Sequence, residues 1–177
     1  MGDVMASNTL VNTVRGPIPA DQLGLILPHE HLIVDTYDVR RSAEMVLLEP
    51  DTMVKEVALF KAAGGSTLVD QTIYGLHPDP EKLVYISEQT GVHIIAGTGF
   101  YWDVYYPEWL HSMSTADITK RLVSHITEGL PGTSIKAGFI GELGTHHREI
   151  KATEKRVLEA AAHAQRETGI PIGTHAL

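Results

Sequence analysis

Cysteine is absent from the 177 residues, which excludes disulfide bonds and thiolate metal sites. Any bound metal must therefore be held by histidine and carboxylate side chains. Basic residues are also few, because 14 Lys and Arg stand against 22 Asp and Glu and give a formal net charge of −8. Since nucleic-acid affinity comes mainly from clustered cationic side chains, we expect no nucleic-acid partner.

Long apolar runs are lacking as well. No window approaches the roughly 18 uninterrupted apolar residues that would indicate a membrane span. The first residues, MGDVMASNTL, lack the basic start and the apolar stretch of a secretory signal. We therefore expect a cytoplasmic protein without membrane association. The hydrophobic composition of 43% is nevertheless high enough for a packed core.

Short apolar segments alternate with segments of helical period along the chain. The segments that predict strands are 23–34, 67–71, 92–98, 137–143 and 170–175. Because each is apolar at nearly every position, they are typical of parallel strands buried on both faces. Four helices are predicted between them, starting at N-cap residues Asp51, Asp79 and Ser114 and, for the fourth, at about Thr153.

The element order βαβαβαβαβ fits either a doubly wound α/β sheet or part of a TIM (β/α)8 barrel. Neither G-x-G-x-x-G nor G-x-x-x-x-G-K-[ST] follows the first strand, which removes the usual nucleotide-binding form of the doubly wound sheet. An eight-stranded barrel needs roughly 250 residues. The fold predicted is thus an α/β TIM barrel represented by about five βα units, and a five-stranded doubly wound binding module is the alternative.

Two histidines flank a glutamate at the end of the first predicted strand, as His29-Glu30-His31. Side chains two positions apart on a strand share a face. Both imidazoles can therefore point into the mouth of a barrel and reach one metal ion. Taken alone, the pair is equally compatible with two histidines that are hydrogen-bonded in a loop.

Two further candidates stand at the ends of later predicted strands. Glu142 ends an apolar segment, where a buried carboxylate is costly unless it is paired with an Arg or Lys or bound to a cation. His175 ends the last strand, where a hydrogen-bonded core histidine is the commoner situation. All of these residues fall at the C-terminal ends of strands, the rim that holds TIM-barrel active sites. We therefore predict a metal site made of His29, His31, Glu142 and His175.

Other side chains border the same rim. Tyr101 and Trp102 follow the third strand and are interpreted as lining a substrate pocket, although a hydrophobic plug is equally compatible with the sequence. His146 and His147 follow the fourth strand and stay open as candidates. Asp70 is interpreted as a capping carboxylate rather than as a partner of a ligand histidine. The histidines interpreted as structural or solvent-facing are His77, His93, His111, His125 and His163.

In their order along the chain, these motifs resemble the phosphotriesterase-like branch of the amidohydrolase superfamily, and in particular its phosphotriesterase homology proteins. The resemblance runs from Val11 to the last residue. The segments that carry it are VNTVRGPI (11–18), HEH (29–31), TLVD (67–70), GTGFY (97–101), KAGFI (136–140), TGIP (168–171) and TH (174–175).

The resemblance implies two divalent metal ions, usually zinc, bridged by a protein carboxylate and a hydroxide. It implies that His29 and His31 hold the more buried ion, that His175 binds the more exposed one, and that Tyr101 lies beside the metals. Many relatives bridge the ions with a carboxylated lysine, but here Gly141 or Glu142 stands at that position. We therefore expect Glu142 to be the bridging and catalytic carboxylate.

The activity implied is metal-dependent hydrolysis of a lactone, carboxyl ester or organophosphate ester by the bridging hydroxide, in one hydrolase domain over residues 1–177. Whether the protein forms a homodimer is left open by the sequence. The family's further metal-binding histidine on strand six and aspartate on strand eight have no counterpart in this sequence. The alternative hypothesis is a catalytically incomplete fragment that binds metal weakly or needs further C-terminal strands.

Overall fold

The computed structural model describes residues 9–175. The first eight residues, on which the expectation of no secretory signal mainly rests, and the last two lie outside the described part. No helix within residues 9–175 is both long and apolar enough to cross a membrane.

Strands and helices alternate along the chain after an N-terminal hairpin. The strands are β1 (Leu10–Thr13), β2 (Gly16–Pro19), β3 (Ile26–Glu30), β4 (Val34–Asp35), β5 (Val46–Leu47), β6 (Thr67–Asp70), β7 (His93–Thr98), β8 (Phe139–Gly144) and β9 (Ile172–His175). The α-helices are α1 (Tyr37–Arg40), α2 (Pro50–Ala62), α3 (Pro80–Thr90), α4 (Thr115–Thr127) and α5 (Ala152–Thr168).

The central sheet is parallel and has the strand order β3-β6-β7-β8-β9. Each strand therefore lies beside the next sheet strand in the chain, with a helix in between. A doubly wound sheet would instead reverse its order at a switch point. The order excludes that alternative within the described residues and confirms the prediction of five βα units of a TIM barrel.

The predicted helix caps are confirmed in two of the three places. The Asp79 carboxylate accepts a hydrogen bond from the Lys82 backbone N–H and begins α3, and the Ser114 hydroxyl does the same for Asp117 in α4. Asp51 as a cap is wrong, because α2 already starts at Pro50, whose fixed φ suits the first helical position. Asp51 instead accepts a hydrogen bond from the Tyr85 hydroxyl.

Two antiparallel hairpins were not predicted. The first predicted strand is shorter than expected, because it stops at Glu30 and the chain turns into β4, which pairs with β5. Earlier in the chain, β1 and β2 form a hairpin at the N-terminal end of the sheet. There the Asn12 amide donates to the carbonyls of Ile126 and Ala137, and the Val14 N–H donates to Ile94. These contacts join residues far apart in sequence, so local patterns did not reveal them.

The core lies around the middle strands, and the two outer strands are more open. All four residues of β6 are buried, as is Ile94 in β7, whereas Leu27 in β3 is 40% exposed and Ile172 in β9 is 37% exposed. The expectation that every strand is buried on both faces is therefore wrong for β3 and β9. The physical reason is that each of them has a neighbouring strand on one side only within residues 9–175.

Candidate metal centre

The C-terminal ends of β3, β8 and β9 bring the four predicted metal ligands together. His29 Nε2 lies 3.0 Å from Glu142 Oε2, and His31 Nε2 lies 3.1 Å from Glu142 Oε1. His175 Nδ1 lies 2.5 Å from Glu142 Oε2. Three imidazoles from two outer strands thus surround one carboxylate from a central strand.

The compact part of this cluster consists of His29, His31 and Glu142. One ligand atom from each lies within 4.8 Å of the others, as a single metal ion requires. His175 joins the group through its contact with Glu142. Of the two residues left open for this position, Glu142 carries the side chain that reaches the cluster, and Gly141 carries none.

Glu142 is almost completely buried, with a residue exposure of 2%. Its ion-pair partners within the described residues are histidines, so the alternative of a salt bridge to Arg or Lys is not what the fold provides. Burial would raise the pKa of Glu142, but the hydrogen bonds and charges of His31 and His175 outweigh burial and lower it. A buried carboxylate in this setting is stabilised only by groups that can also act as metal ligands.

The orientation of His31 is fixed by a residue that the sequence did not point to. The Thr72 hydroxyl lies 3.0 Å from His31 Nδ1, which leaves Nε2 facing Glu142. A hydrogen bond at the second ring nitrogen is the usual means of orienting a ligand histidine. Thr72 lies two residues beyond the end of β6, at the same rim, and this position was the signal available in the sequence.

Asp70 orders the backbone around this histidine. Its two carboxylate oxygens accept hydrogen bonds from the N–H groups of Leu32, at 2.7 Å, and Thr72, at 3.0 Å. The capping interpretation is confirmed. Burial raises the pKa of Asp70 to about 6, although both hydrogen bonds oppose the shift.

A close contact between β8 and β9 positions Glu142 relative to His175. Gly141 has a φ of +140°, and a Cβ atom at this position would lie 2.5 Å from the Gly173 carbonyl oxygen. Only glycine permits both the backbone conformation and this approach. The two strands can therefore bring their polar side chains to one point.

The two aromatic residues predicted to line a substrate pocket have different neighbours. The hydroxyl of Tyr101 is 3.4 Å from His175 Nε2, and the two rings meet edge to face at 5.3 Å. Burial and the charge of Glu142 raise the pKa of Tyr101 to about 12, so the phenol is neutral near pH 7. Trp102 instead packs near Tyr105 and His146, at ring distances of 6.1 and 6.2 Å.

A second aromatic residue and an arginine extend the rim beyond Tyr101. The ring of Tyr105 lies 5.0 Å from that of Tyr101, and its hydroxyl accepts a hydrogen bond of 3.2 Å from Arg40 Nε. Sequence analysis missed both residues. Arg40 ends the four-residue helix α1, which is too short to produce a periodic pattern.

The remaining histidines lie outside the cluster. His125 is buried in α4 beside the Thr98 hydroxyl, at 2.7 Å, and burial lowers its pKa to about 4. His77 is exposed and faces Asp38. His146 and His147 stack on each other at 4.6 Å, and neither contacts the four predicted ligands among the described ion pairs.

A cavity of about 960 Å³ lies beside the loops that follow β6 and β7. Its walls include Ile73, Tyr105 and Tyr106 but none of the four predicted ligands. The cluster is therefore a separate feature of the rim.

The donor set of the cluster fits a divalent cation. Imidazole nitrogens and carboxylate oxygens suit Zn, Mn, Co or Fe, and thiolate is excluded because cysteine is absent. The imidazole nitrogens of His29 and His31 already point at the carboxylate oxygens. His29, His31 and Glu142 form a group that can hold a metal ion.

Comparison with known proteins gives consistent matches over almost the whole chain. The sequence profile of the phosphotriesterase family matches residues 9–177. An N-acetyltaurine hydrolase from Rattus norvegicus is 36% identical, over 93% of this chain and 56% of the relative. The chain thus spans about half the length of the curated relatives that it matches.

Solved structures share the fold over the same extent. A lactonase from Listeria monocytogenes superposes with a TM-score of 0.88 and 27% identity, covering 94% of this chain and 56% of the lactonase. An organophosphorus hydrolase from Deinococcus radiodurans superposes with a TM-score of 0.81 and 33% identity, covering 94% of this chain and 53% of the hydrolase.

Proposed function

Because the chain belongs to the phosphotriesterase family, we propose that it provides the metal-binding half of a metal-dependent hydrolase. The observation that carries this proposal is the convergence of His29, His31 and His175 on the buried carboxylate of Glu142. The proposed cofactor is a pair of divalent cations, with zinc expected. The proposed hydrolase domain includes all of residues 1–177.

Glu142 is the proposed shared ligand. One of its oxygens faces His31, and the other faces both His29 and His175. Both oxygens of the carboxylate therefore lie beside imidazole nitrogens, so both could take part in holding metal ions. Bound divalent cations make water a nucleophile near neutral pH and polarise the carbonyl or phosphoryl oxygen under attack.

The other residues of the site orient the ligand histidine His31 or can bind the substrate. Thr72 keeps His31 Nε2 turned toward the cluster, and Asp70 holds the backbone on both sides of this contact. The phenol of Tyr101 stays protonated near pH 7 and lies beside His175. It can donate a hydrogen bond to an oxygen of the substrate.

The proposed substrate is a small molecule with a hydrolysable acyl or phosphoryl bond. The relatives name three such chemistries: a lactonase, an organophosphorus hydrolase and an N-acetyltaurine hydrolase, whose named substrate is an amide. We propose a lactone, carboxyl ester or organophosphate ester, and add the amide because the matched curated sequence has that name.

The test measures metal content and hydrolysis together. The 177-residue chain is loaded with zinc and assayed with a γ-lactone, an aryl acetate, an organophosphate triester and N-acetyltaurine. Glu142→Gln should lose metal and hydrolysis together, whereas the exposed Glu149→Gln should keep both. Hydrolysis that persists after a chelator has removed the metal would refute the proposal.

A second candidate function is metal binding without turnover by the 177-residue chain. The outer strands β3 and β9 favour this candidate within residues 9–175. Their unpaired edges and exposed apolar side chains can pair with a further strand. In that case the 177-residue chain binds zinc but hydrolyses none of the four substrates. Turnover of any of them that is lost in Glu142→Gln would rule this candidate out.

A further inference from the structure

An arginine with no acidic partner among residues 9–175 lies beside the candidate metal centre. Arg40 is exposed at the end of α1, and its Nε donates to the Tyr105 hydroxyl at 3.2 Å. None of the ion pairs within residues 9–175 involves Arg40, although the chain carries a net charge of −8. Lys151, at the end of the loop that follows β8, is by contrast paired with Asp103.

Two tyrosines connect this guanidinium with the cluster. The Tyr105 ring packs against Tyr101, and the Tyr101 hydroxyl lies 3.4 Å from His175 Nε2. Two packed phenols therefore lie between the guanidinium and a predicted metal ligand.

A guanidinium held in this way keeps most of its binding capacity. It has five N–H donors in a planar fork that matches paired anionic oxygens. The hydroxyl of Tyr105 accepts a hydrogen bond from Nε only. The remaining donors stay available to a ligand at the rim.

We propose that Arg40 binds an anionic oxygen group of the substrate, such as a sulfonate, carboxylate or phosphate, while the bond to be hydrolysed lies at the cluster. This inference rests on the proposed hydrolase function. Because two packed tyrosine rings separate Arg40 from His175, these rings set the distance between the anionic group of the substrate and its scissile bond.

The experiment compares selectivity between charged and neutral substrates in the zinc-loaded protein at full length. The substrates are N-acetyltaurine, which carries a sulfonate, N-acetyl-β-alanine, which carries a carboxylate, and the neutral N-ethylacetamide. The variants are Arg40→Gln, Arg40→Lys and Tyr105→Phe. Arg41→Gln is the matched control, because it removes the same charge one residue farther along.

Arg40→Gln should lower the ratio of kcat/KM for the anionic amides to that for the neutral amide about ten- to a hundredfold, mainly through KM, as loss of a charge-assisted hydrogen bond implies. Arg40→Lys should recover part of this ratio, and Arg41→Gln should leave it unchanged. A fall for one anionic amide alone identifies the group that Arg40 binds. An equal fall in Arg41→Gln overturns the inference, and so does a Tyr105→Phe variant that reproduces the whole effect.

A separate binding measurement distinguishes this inference from the proposed function. If the wild-type protein hydrolyses none of the amides, the amide form of the proposed function fails, and ethanesulfonate binding measured by NMR titration decides the role of Arg40. Binding that weakens in Arg40→Gln but not in Arg41→Gln supports the anion site. Binding that is absent from the wild type, or equal in both variants, overturns it.

Discussion

The central strands β6, β7 and β8 and the outer strands β3 and β9 supply different parts of the candidate metal centre. The central strand β8 supplies Glu142, whose side chain is only 3% exposed, while the outer strands supply His29 and His175, with side chains 43% and 32% exposed. The carboxylate is thus fixed in the core, and the imidazoles stand where solvent reaches them. The difference indicates that the core sets the position of the site and that the edges close it.

Shortening a buried side chain should give the largest difference in stability loss between the central and the outer strands. Ile94 in β7 is fully buried, so Ile94→Ala should lower the free energy of unfolding of the 177-residue chain by about 2–5 kcal/mol. Leu27→Ala, in the exposed strand β3, should cost about 1 kcal/mol or less. Urea denaturation measures both values. Equal losses would mean that β3 is covered in solution, and the contrast between centre and edge would fail.

Acid should weaken the central region through a buried histidine behind β7. His125 has a folded pKa of about 4, below its ordinary value of 6.5, so the chain takes up a proton there when it unfolds. This contribution to stability is complete above pH 6.5 and is lost as the pH falls toward 4. Linkage gives a loss on the order of 2 kcal/mol between pH 7 and 5.

The measurement is the free energy of unfolding at pH 7 and pH 5 for the wild type and for His125→Asn. Carboxylates contribute equally to both proteins, so the variant should lose about 2 kcal/mol less than the wild type over this range. The exposed His163→Asn is the matched control and should behave as the wild type does. The same pH dependence in all three proteins would show that His125 does not cause the loss of stability in acid.

A smaller effect, on zinc affinity, should follow from a contact between the central region and the outer strand β3. Thr72, just after β6, holds the ring of His31 through Nδ1, and Thr72→Val removes this hydroxyl with little change in shape. Zinc affinity should fall about tenfold, as expected for the loss of a hydrogen bond that orients a ligand histidine. Competition with a chromophoric chelator measures the affinity, with the exposed Thr127→Val as control. Unchanged affinity would show that β3 orients His31 without help from the centre.

Most of the fold could be predicted from the sequence, because local signals specify it. Asp79 and Ser114 begin helices where their side chains can cap backbone N–H groups, and the apolar runs of β6 and β7 match their complete burial. The hairpins could not be predicted, because pairs such as Val34 with Leu47 form through tertiary contacts. For the same reason, the exposure of side chains on β3 and β9 could not be predicted.

The candidate site also contains residues that could be predicted from the sequence and residues that could not. His29, His31, Glu142 and His175 could be predicted because a strand end is a local feature and parallel strands share one rim. Thr72, Tyr105 and Arg40 could not, since each acts through a contact across more than 30 positions of the chain, such as that between Arg40 and Tyr105. Their residue types alone carry no metal or substrate signal.

Anomalous X-ray diffraction from crystals of the zinc-loaded protein tests the metal centre most directly. We predict a zinc peak about 2.0–2.2 Å from His29 Nε2, His31 Nε2 and an oxygen of Glu142. A zinc ion bound elsewhere, with these three side chains still contacting only each other, would contradict it.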